Sequence, residues 1–218
     1  MRAEPTVRRV GNRAVGVSAV MVALLTVFLT GCTDEPAAPP AQAEATVAPL
    51  TDLDLGGLSA VRAPYCETLD PGQLSDVLGG DPHRTSSYKP GDRVGLAPGM
   101  VDVVQEYGCS YFRGPVTART WLFAQPVTNR GARSLVAERA REQGCRPAGV
   151  LEFGAPGVVQ TCRPAQDAGA SGAAETVVLA GLFGDGYLTC EVTAPGDPSL
   201  LERTQRWCAG VAEAVATP

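Results

Sequence analysis

The sequence contains few of the residues on which most enzyme families depend. Its 218 residues include one histidine, His83, and one lysine, Lys89, against 17 arginines. A single imidazole excludes most catalytic and zinc sites that are built from several histidines. No Gly-x-Ser-x-Gly, His-Glu-x-x-His, Gly-x-x-x-x-Gly-Lys-Ser/Thr or Gly-x-Gly-x-x-Gly motif occurs. We therefore expect no enzyme activity and no cofactor.

No apolar run is long enough for a permanent membrane-spanning helix. The apolar segment near the N-terminus covers residues 14–29, whereas a span needs about 20 apolar residues. Four arginines and one glutamate precede this segment. A positive segment followed by a short apolar stretch is typical of a secretory signal, so residues 1–31 are interpreted as a signal peptide.

The residues that follow this stretch are Leu29-Thr30-Gly31-Cys32, and they resemble the lipobox of bacterial lipoproteins. The resemblance implies that diacylglycerol is attached to Cys32 and that the signal is cleaved between Gly31 and Cys32. A palmitate-bearing anchor of this kind holds a protein stably, because two acyl chains suffice where one does not. We expect the mature protein on the cell membrane, at its outer, extracytoplasmic face.

The charge of the mature chain excludes nucleic acid as a partner. Without residues 1–31 the chain has 14 basic and 22 acidic residues, a net charge of −8. Such a chain gains nothing from the counterion release that supports binding to phosphate backbones. No local cluster of lysine or arginine offsets this charge.

Residues 32–62 comprise the lipidated cysteine and a Pro/Ala-rich tether. This composition cannot bury enough apolar surface to fold alone, and about 30 extended residues reach roughly 100 Å. The tether's late leucines (Leu50, Leu53, Leu55 and Leu58) either dock on the folded part or remain solvated. Residues 63–218 are predicted to form one extracytoplasmic domain.

The fold class expected for this domain is α+β, an antiparallel sheet with helices packed on one face and bridged by disulfides. Asp70 and Pro71 begin a short helix that Gly79 ends, and residues 81–99 are predicted to form a loop. Strands are predicted at 101–112 and 117–127, a helix near 132–140 with Gly144 as its C′ residue, and hairpins at 150–161 and 175–194. A final helix follows Asp197.

The domain has six cysteines, an even number that suits disulfides in an exported protein. Cys190 lies on the apolar side of an alternating strand, and Cys208 lies on the apolar stripe of the helix that follows, so we pair them. Cys145 and Cys162 flank a predicted hairpin and are paired for that reason. The remaining two, Cys66 and Cys109, pair by elimination.

Two features are candidates for function. Trp121 lies on a predicted strand and is a candidate for the floor of a ligand groove on the open sheet face, whereas packing in the core is the alternative for both Trp121 and Trp207. Paired carboxylates, which a glycosidase needs about 5–10 Å apart, are offered only by unremarkable pairs: Asp76 with Asp81, and Glu138 with Glu142.

Three segments of the domain resemble a known family. They are residues 65–70 (Tyr-Cys-Glu-Thr-Leu-Asp), a short helix ending in Leu78-Gly79, and residues 108–112 (Gly-Cys-Ser-Tyr-Phe). Together with the lipobox and the tether they resemble a family of small actinobacterial lipoproteins with a domain of unknown function. The similarity covers about residues 50–216. The chain departs from the family in lacking a Trp after the second cysteine and in having four further cysteines, and the family implies no catalytic residues.

A second resemblance involves residues 187–190 (Tyr-Leu-Thr-Cys) and 206–208 (Arg-Trp-Cys). They are similar to the extracellular sensor domain of mycobacterial Ser/Thr kinases, a cleft-bearing, disulfide-bridged domain to which ligand binding is attributed. This resemblance implies the same Cys190–Cys208 pairing.

The sequence thus predicts a membrane-anchored, non-catalytic domain that binds a small molecule or an envelope protein of unknown identity. The alternative is an envelope hydrolase that uses two carboxylates.

Replacement of Cys32 tests the anchor. Cells that express the full chain should incorporate radiolabelled palmitate into the protein, and Cys32→Ala should abolish this incorporation because the acylated sulfur is absent. Label that persists in Cys32→Ala would rule out Cys32 as the site of lipid attachment.

Overall fold

The computed structural model describes residues 58–97, 99–148, 153–163 and 173–216. The predictions on the signal peptide, the cleavage between Gly31 and Cys32, the lipid on Cys32 and most of the tether lie outside the described residues. In chain order the described elements are α1 (Pro71–Leu78), β1 (Arg84–Tyr88), β2 (Arg93–Ala97), β3 (Met100–Val103), β4 (Glu106–Arg113), β5 (Val116–Phe123), α2 (Asn129–Arg139), β6 (Cys145–Pro147), β7 (Gly157–Cys162), β8 (Ala174–Phe183), β9 (Gly186–Pro195) and α3 (Leu200–Val215).

Seven of the strands form one antiparallel sheet in the order β1-β4-β5-β9-β8-β7-β6. The strands β2 and β3 form a separate two-stranded hairpin. Two of the pairings in the large sheet, β4 with β5 and β8 with β9, join strands that a short turn connects, and such a turn makes its two strands antiparallel. The predicted α+β class, with a disulfide-bridged antiparallel sheet, is confirmed.

The core lies against one face of the sheet, which we call the core face and which carries Leu122, Leu179 and Leu188. All three side chains are buried completely. The helices α1 and α3 pack on this face. Each buried leucine adds about 1.5–3 kcal/mol of hydrophobic stabilisation, so this layer supplies most of the stability of the domain.

Trp207, on α3, belongs to this core. It is 2% exposed, and its ring meets Tyr111 edge-to-face with the centroids 6.0 Å apart. Packing in the core, the alternative named for this residue, is therefore what the structure has.

The helix α2 differs from the prediction that the helices share one face. Its residues Ala132, Leu135 and Val136 pack with Leu182 and Tyr187, which project from the opposite side of the sheet. We call this side the outer face. The reason is the period of two along β8 and β9: these strands have apolar residues on both sides near the turn that joins them, so both sides there need a cover.

The start of α1 follows the sequence prediction. The Asp70 carboxylate accepts a hydrogen bond of 2.7 Å from the backbone N–H of Gln73, and Pro71 occupies the first helical position. The helix ends at Gly79, whose φ of 72° is the left-handed conformation that glycine adopts without strain.

Other boundaries differ from the prediction. Residues 81–99 contain β1 and β2 rather than a single loop. The reason is that β1 is hydrogen-bonded to β4, a pairing that no local sequence pattern predicts. The segment 101–112 divides into β3 and β4, and α2 ends at Arg139, before Gly144. Next to the first predicted hairpin, β7 pairs with β6. Of residues 150–153 only Phe153 is described, and it is buried outside a strand.

The structure pairs the six cysteines of the domain as the sequence predicts: Cys66 with Cys109, Cys145 with Cys162, and Cys190 with Cys208. The partners are separated by 43, 17 and 18 residues respectively. In the chain-entropy view, the first bridge stabilises the fold by about 4 kcal/mol and each of the others by about 3 kcal/mol.

The chain begins to pack on the domain inside the range assigned to the tether. Leu58 contacts the core, and Ala60 forms an antiparallel bridge with Ala216. Of the late leucines of the tether, Leu58 therefore docks on the domain. Leu50, Leu53 and Leu55 lie outside the described residues.

The three bridges should differ in their resistance to reduction. Cys190 and Cys208 are buried completely, whereas Cys145 and Cys162 are both half-buried on the edge strand β6 and its neighbour. In native buffer, a mild thiol reductant should open Cys145–Cys162 first and Cys190–Cys208 last, because exchange needs access to sulfur. Alkylation and peptide mass spectrometry at successive times measure the order, and early labelling of Cys208 would contradict it.

Candidate functional site

The register of the sheet gathers polar and aromatic side chains on the outer face. Cross-strand partners project to the same side, so each row of paired residues can be followed across β1, β4, β5 and β9. Three such rows lie side by side: Tyr88, Gly108, Trp121 and Thr189; Ser86, Ser110, Arg119 and Glu191; and Arg84, Phe112, Thr117 and Thr193. We call these twelve residues the outer-face rows.

Two of the aromatic rings in these rows carry arginine guanidinium groups. The guanidinium carbon of Arg84 lies 4.0 Å from the centre of the Phe112 ring, and that of Arg119 lies 5.9 Å from it. Arg139, at the end of α2, lies 5.9 Å from the Trp121 ring. Both rings are half-buried, so each presents part of its surface to solvent beside a cation.

Glu191 is the one carboxylate among the twelve residues of the outer-face rows. It is on β9, the middle strand of the sheet, which lies between β5 and β8, and its side chain is 15% exposed. Its ion-pair partner is Arg119, with Nη1 3.7 Å from Oε1, which is too long for a strong hydrogen bond. Within the described residues no hydrogen bond reaches this carboxylate.

Burial raises the pKa of the Glu191 carboxyl above its ordinary value. Arg119 and Arg139 oppose this shift, and Glu142, next to Arg139, adds to it. Desolvation is the largest cause, so the charged form of Glu191 is held in a place where water solvates it poorly and its cations do not fully compensate.

Tyr88 lies at the end of its row, on the edge strand β1. Its ring lies directly over Gly108, where a Cβ atom would come within 2.1 Å of Cζ, so only glycine leaves room for it. The Tyr88 hydroxyl donates a 3.1 Å hydrogen bond to Oε1 of Glu106. Burial, with the negative charge of Glu106, raises the pKa of the Tyr88 hydroxyl, so the phenol stays a donor.

A cleft of about 470 Å³ lies at the same edge of the sheet. Its lining includes Cys66, Glu67, Tyr88, Lys89 and Tyr107. Tyr88 thus contributes both to the cleft and to the outer-face rows. Trp121 does not line this cleft and lies on an open sheet face.

The carboxylate pairs considered from the sequence do not line the cleft described above. Asp76, Asp81, Glu138 and Glu142 are all exposed, and Glu142 forms an ion pair with Arg139 at 3.1 Å. His83 is exposed as well. None of these residues is placed as a catalytic group would be.

Sequence reasoning did not select Glu191, Arg119 or Arg84. A signal for Glu191 was present, since the alternation of β9 already placed it beside Thr189 and Thr193 on the non-core side. The partners Arg119 and Arg84 required the register of β5 and β1, which no local pattern supplies.

Comparison of the sequence with models of protein families and with curated proteins found no match. Among the described residues no group of three or more His, Cys, Asp or Glu side chains is arranged to hold a metal ion. None of the helices in the described ranges has both the length and the apolar character needed to cross a bilayer.

Replacing Glu191 by Gln should alter how stability depends on pH. The folded-state pKa of Glu191 lies above the unfolded value, so the wild type loses stability as pH rises through the folded pKa, whereas Gln does not titrate. The unfolding midpoint of Glu191→Gln should therefore rise relative to the wild type between about pH 4 and about pH 7.

Thermal unfolding followed by circular dichroism at the two pH values measures this difference. Glu213→Gln, an exposed glutamate on α3, serves as the matched control and should show little change. A gap between Glu191→Gln and the wild type that stays constant or narrows with pH would contradict the assignment.

Proposed function

We propose that this chain is a lipid-anchored extracytoplasmic protein whose domain binds a ligand without catalysing a reaction. The apolar N-terminal segment and the lipobox support the location. The likeness of residues 65–70 and 108–112 to small actinobacterial lipoproteins supports the same assignment. The outer-face rows are the proposed binding surface.

The observation that carries the proposal is the position of Glu191, a largely buried carboxylate on the outer-face rows whose pKa is raised by burial. The Glu191 side chain is 15% exposed and has Arg119 as an ion-pair partner at 3.7 Å. Burial nevertheless disfavours its charged form, whereas Thr or Val at this position of β9 would carry no charge. Carboxyls whose pKa is shifted by burial and by specific charged neighbours occur often at functional sites. A ligand that donates hydrogen bonds to Glu191 would compensate the cost on binding.

Hydrolysis by two carboxylates is less well supported. Glycosidases pair an acid of raised pKa with a second carboxylate about 5–10 Å away. Among the described Asp and Glu residues with a shifted pKa, burial raises that of Glu191, whereas hydrogen bonds from Ser199 and the charge of Arg203 hold that of Asp197 low. We therefore propose binding rather than hydrolysis.

A different surface would serve a protein-scaffold role. The hairpin of β2 and β3 carries exposed Met100, Val101 and Val103, which are 57%, 51% and 45% exposed. Exposed apolar side chains in one place suit contact with a protein, so the experiment below includes this hairpin.

Site-specific photocrosslinking in living cells tests the proposed surface. A benzophenone amino acid is placed in the full-length chain at Ser86 on the outer-face rows, at Val101 on the hairpin, or at Glu213 on α3 as the matched exposed control. The proposal expects a small-mass adduct at Ser86 and none at Glu213, measured by mass spectrometry of the purified protein.

Two results would overturn the proposal. One is an adduct yield at Ser86 no higher than at Glu213. The other is protein-sized adducts from Val101 with none from Ser86, which would favour a scaffold.

A further inference from the structure

We infer that the outer-face rows bind a neutral sugar ring, as part of an oligosaccharide; this inference rests on the proposed binding function and names its ligand class. The argument uses the charge of the surface, its aromatic rings and the direction of its hydrogen-bonding groups.

The charges around the rows balance. Arg84, Arg119 and Arg139 supply three cations, and Glu106, Glu142 and Glu191 supply three carboxylates. A polyanion would meet the poorly solvated Glu191 carboxylate, and a polycation would meet the guanidinium groups over Phe112 and Trp121. Like charges brought together in this way are costly, so a neutral ligand suits the surface best.

The aromatic rings supply the apolar contact. Trp121 and Phe112 are half-buried and lie four residues and one strand apart in the register, because Gly108 pairs with Trp121 and Phe112 with Thr117. Both rings project from the outer face. Arg84 already covers the Phe112 ring at 4.0 Å, whereas the guanidinium carbon of Arg139 lies 5.9 Å from the Trp121 ring. The C–H side of a pyranose ring is apolar and flat enough to pack on the Trp121 ring, while its hydroxyls stay at the rim.

The polar groups require a ligand that both donates and accepts hydrogen bonds. Glu191 only accepts, the arginines only donate, and the hydroxyls of Ser86, Ser110 and Thr117 do either. Sugar hydroxyls donate to a carboxylate and accept from a guanidinium at the same time. A fully ionised phosphate only accepts hydrogen bonds, and an ammonium group only donates them.

Saturation-transfer NMR on the full-length chain in detergent tests this inference. The probes are neutral tetrasaccharides of N-acetylglucosamine, glucose, mannose and arabinose, with inorganic triphosphate and trilysine as charged alternatives. Transfer to the C–H protons of at least one sugar is expected, with saturation on titration.

The variants locate the contact. Glu191→Gln removes a charged hydrogen-bond acceptor and should weaken sugar binding about tenfold, and Trp121→Ala should weaken it about three- to tenfold. Glu213→Gln should bind as the wild type does. Trp121→Phe, which keeps a ring, should retain most of the affinity and shows that the loss in Trp121→Ala is not unfolding.

Tryptophan fluorescence gives an independent reading, because the chain has two tryptophans and Trp207 is buried. Trp207→Phe leaves Trp121 as the reporter, and its emission should change on titration with the bound sugar. In Trp121→Phe the remaining signal from Trp207 should not change.

Three results would overturn the inference: no transfer to any of the neutral tetrasaccharides, equal transfer in the wild type and Glu191→Gln, or binding of triphosphate or trilysine instead. If small adducts still form at Ser86 while every sugar fails, the ligand class is wrong and the proposed binding function stands. If adducts at Ser86 also fail, both are wrong.

Discussion

The two-residue period of β9 determines how the rest of the domain is arranged. Leu188, Cys190 and Val192 face the core, and Thr189 and Glu191 face the other way. Because β9 is hydrogen-bonded on both sides, by β5 and β8, shifting its register by one residue would place Glu191 among the leucines. That cost holds the neighbouring strands in register, and so both the core and the polar outer face depend on it.

The disulfides extend this arrangement beyond the sheet. Cys190–Cys208 ties α3 to the central strand, and Cys66–Cys109 ties the segment before α1 to β4. Both act on the core face, where two helices cover the sheet. On the outer face the described cover is the single helix α2, which packs on β7 and β8. The asymmetry of the cover leaves β1, β4 and β5 with a partly exposed polar surface.

The polar rows have a stability cost that the core must offset. Glu191 and Tyr88 both have a raised pKa because of burial. The Tyr88 ring occupies the space that a side chain at position 108 would need, so this position must be glycine. A sheet face with no role beyond packing would carry Thr and Val at such positions. In the proposed arrangement, a tether that extends roughly 100 Å holds this surface away from the membrane, where an extended ligand can reach it.

The sequence by itself determined the features that depend on neighbours along the chain: the Asp70 cap of α1, the β8–β9 hairpin at Gly184-Asp185-Gly186, the apolar stripe of α3, and the disulfide that joins the last strand to the last helix. These follow from capping, turn chemistry and periodicity, which act over a few residues. Tertiary structure alone decided that 84–88 is a strand, that α2 covers the second face, and that Arg119 pairs with Glu191. Those outcomes depend on pairing between strands up to about 70 residues apart, as with Thr120 and Cys190, and the energy of such pairing is absent from any local segment.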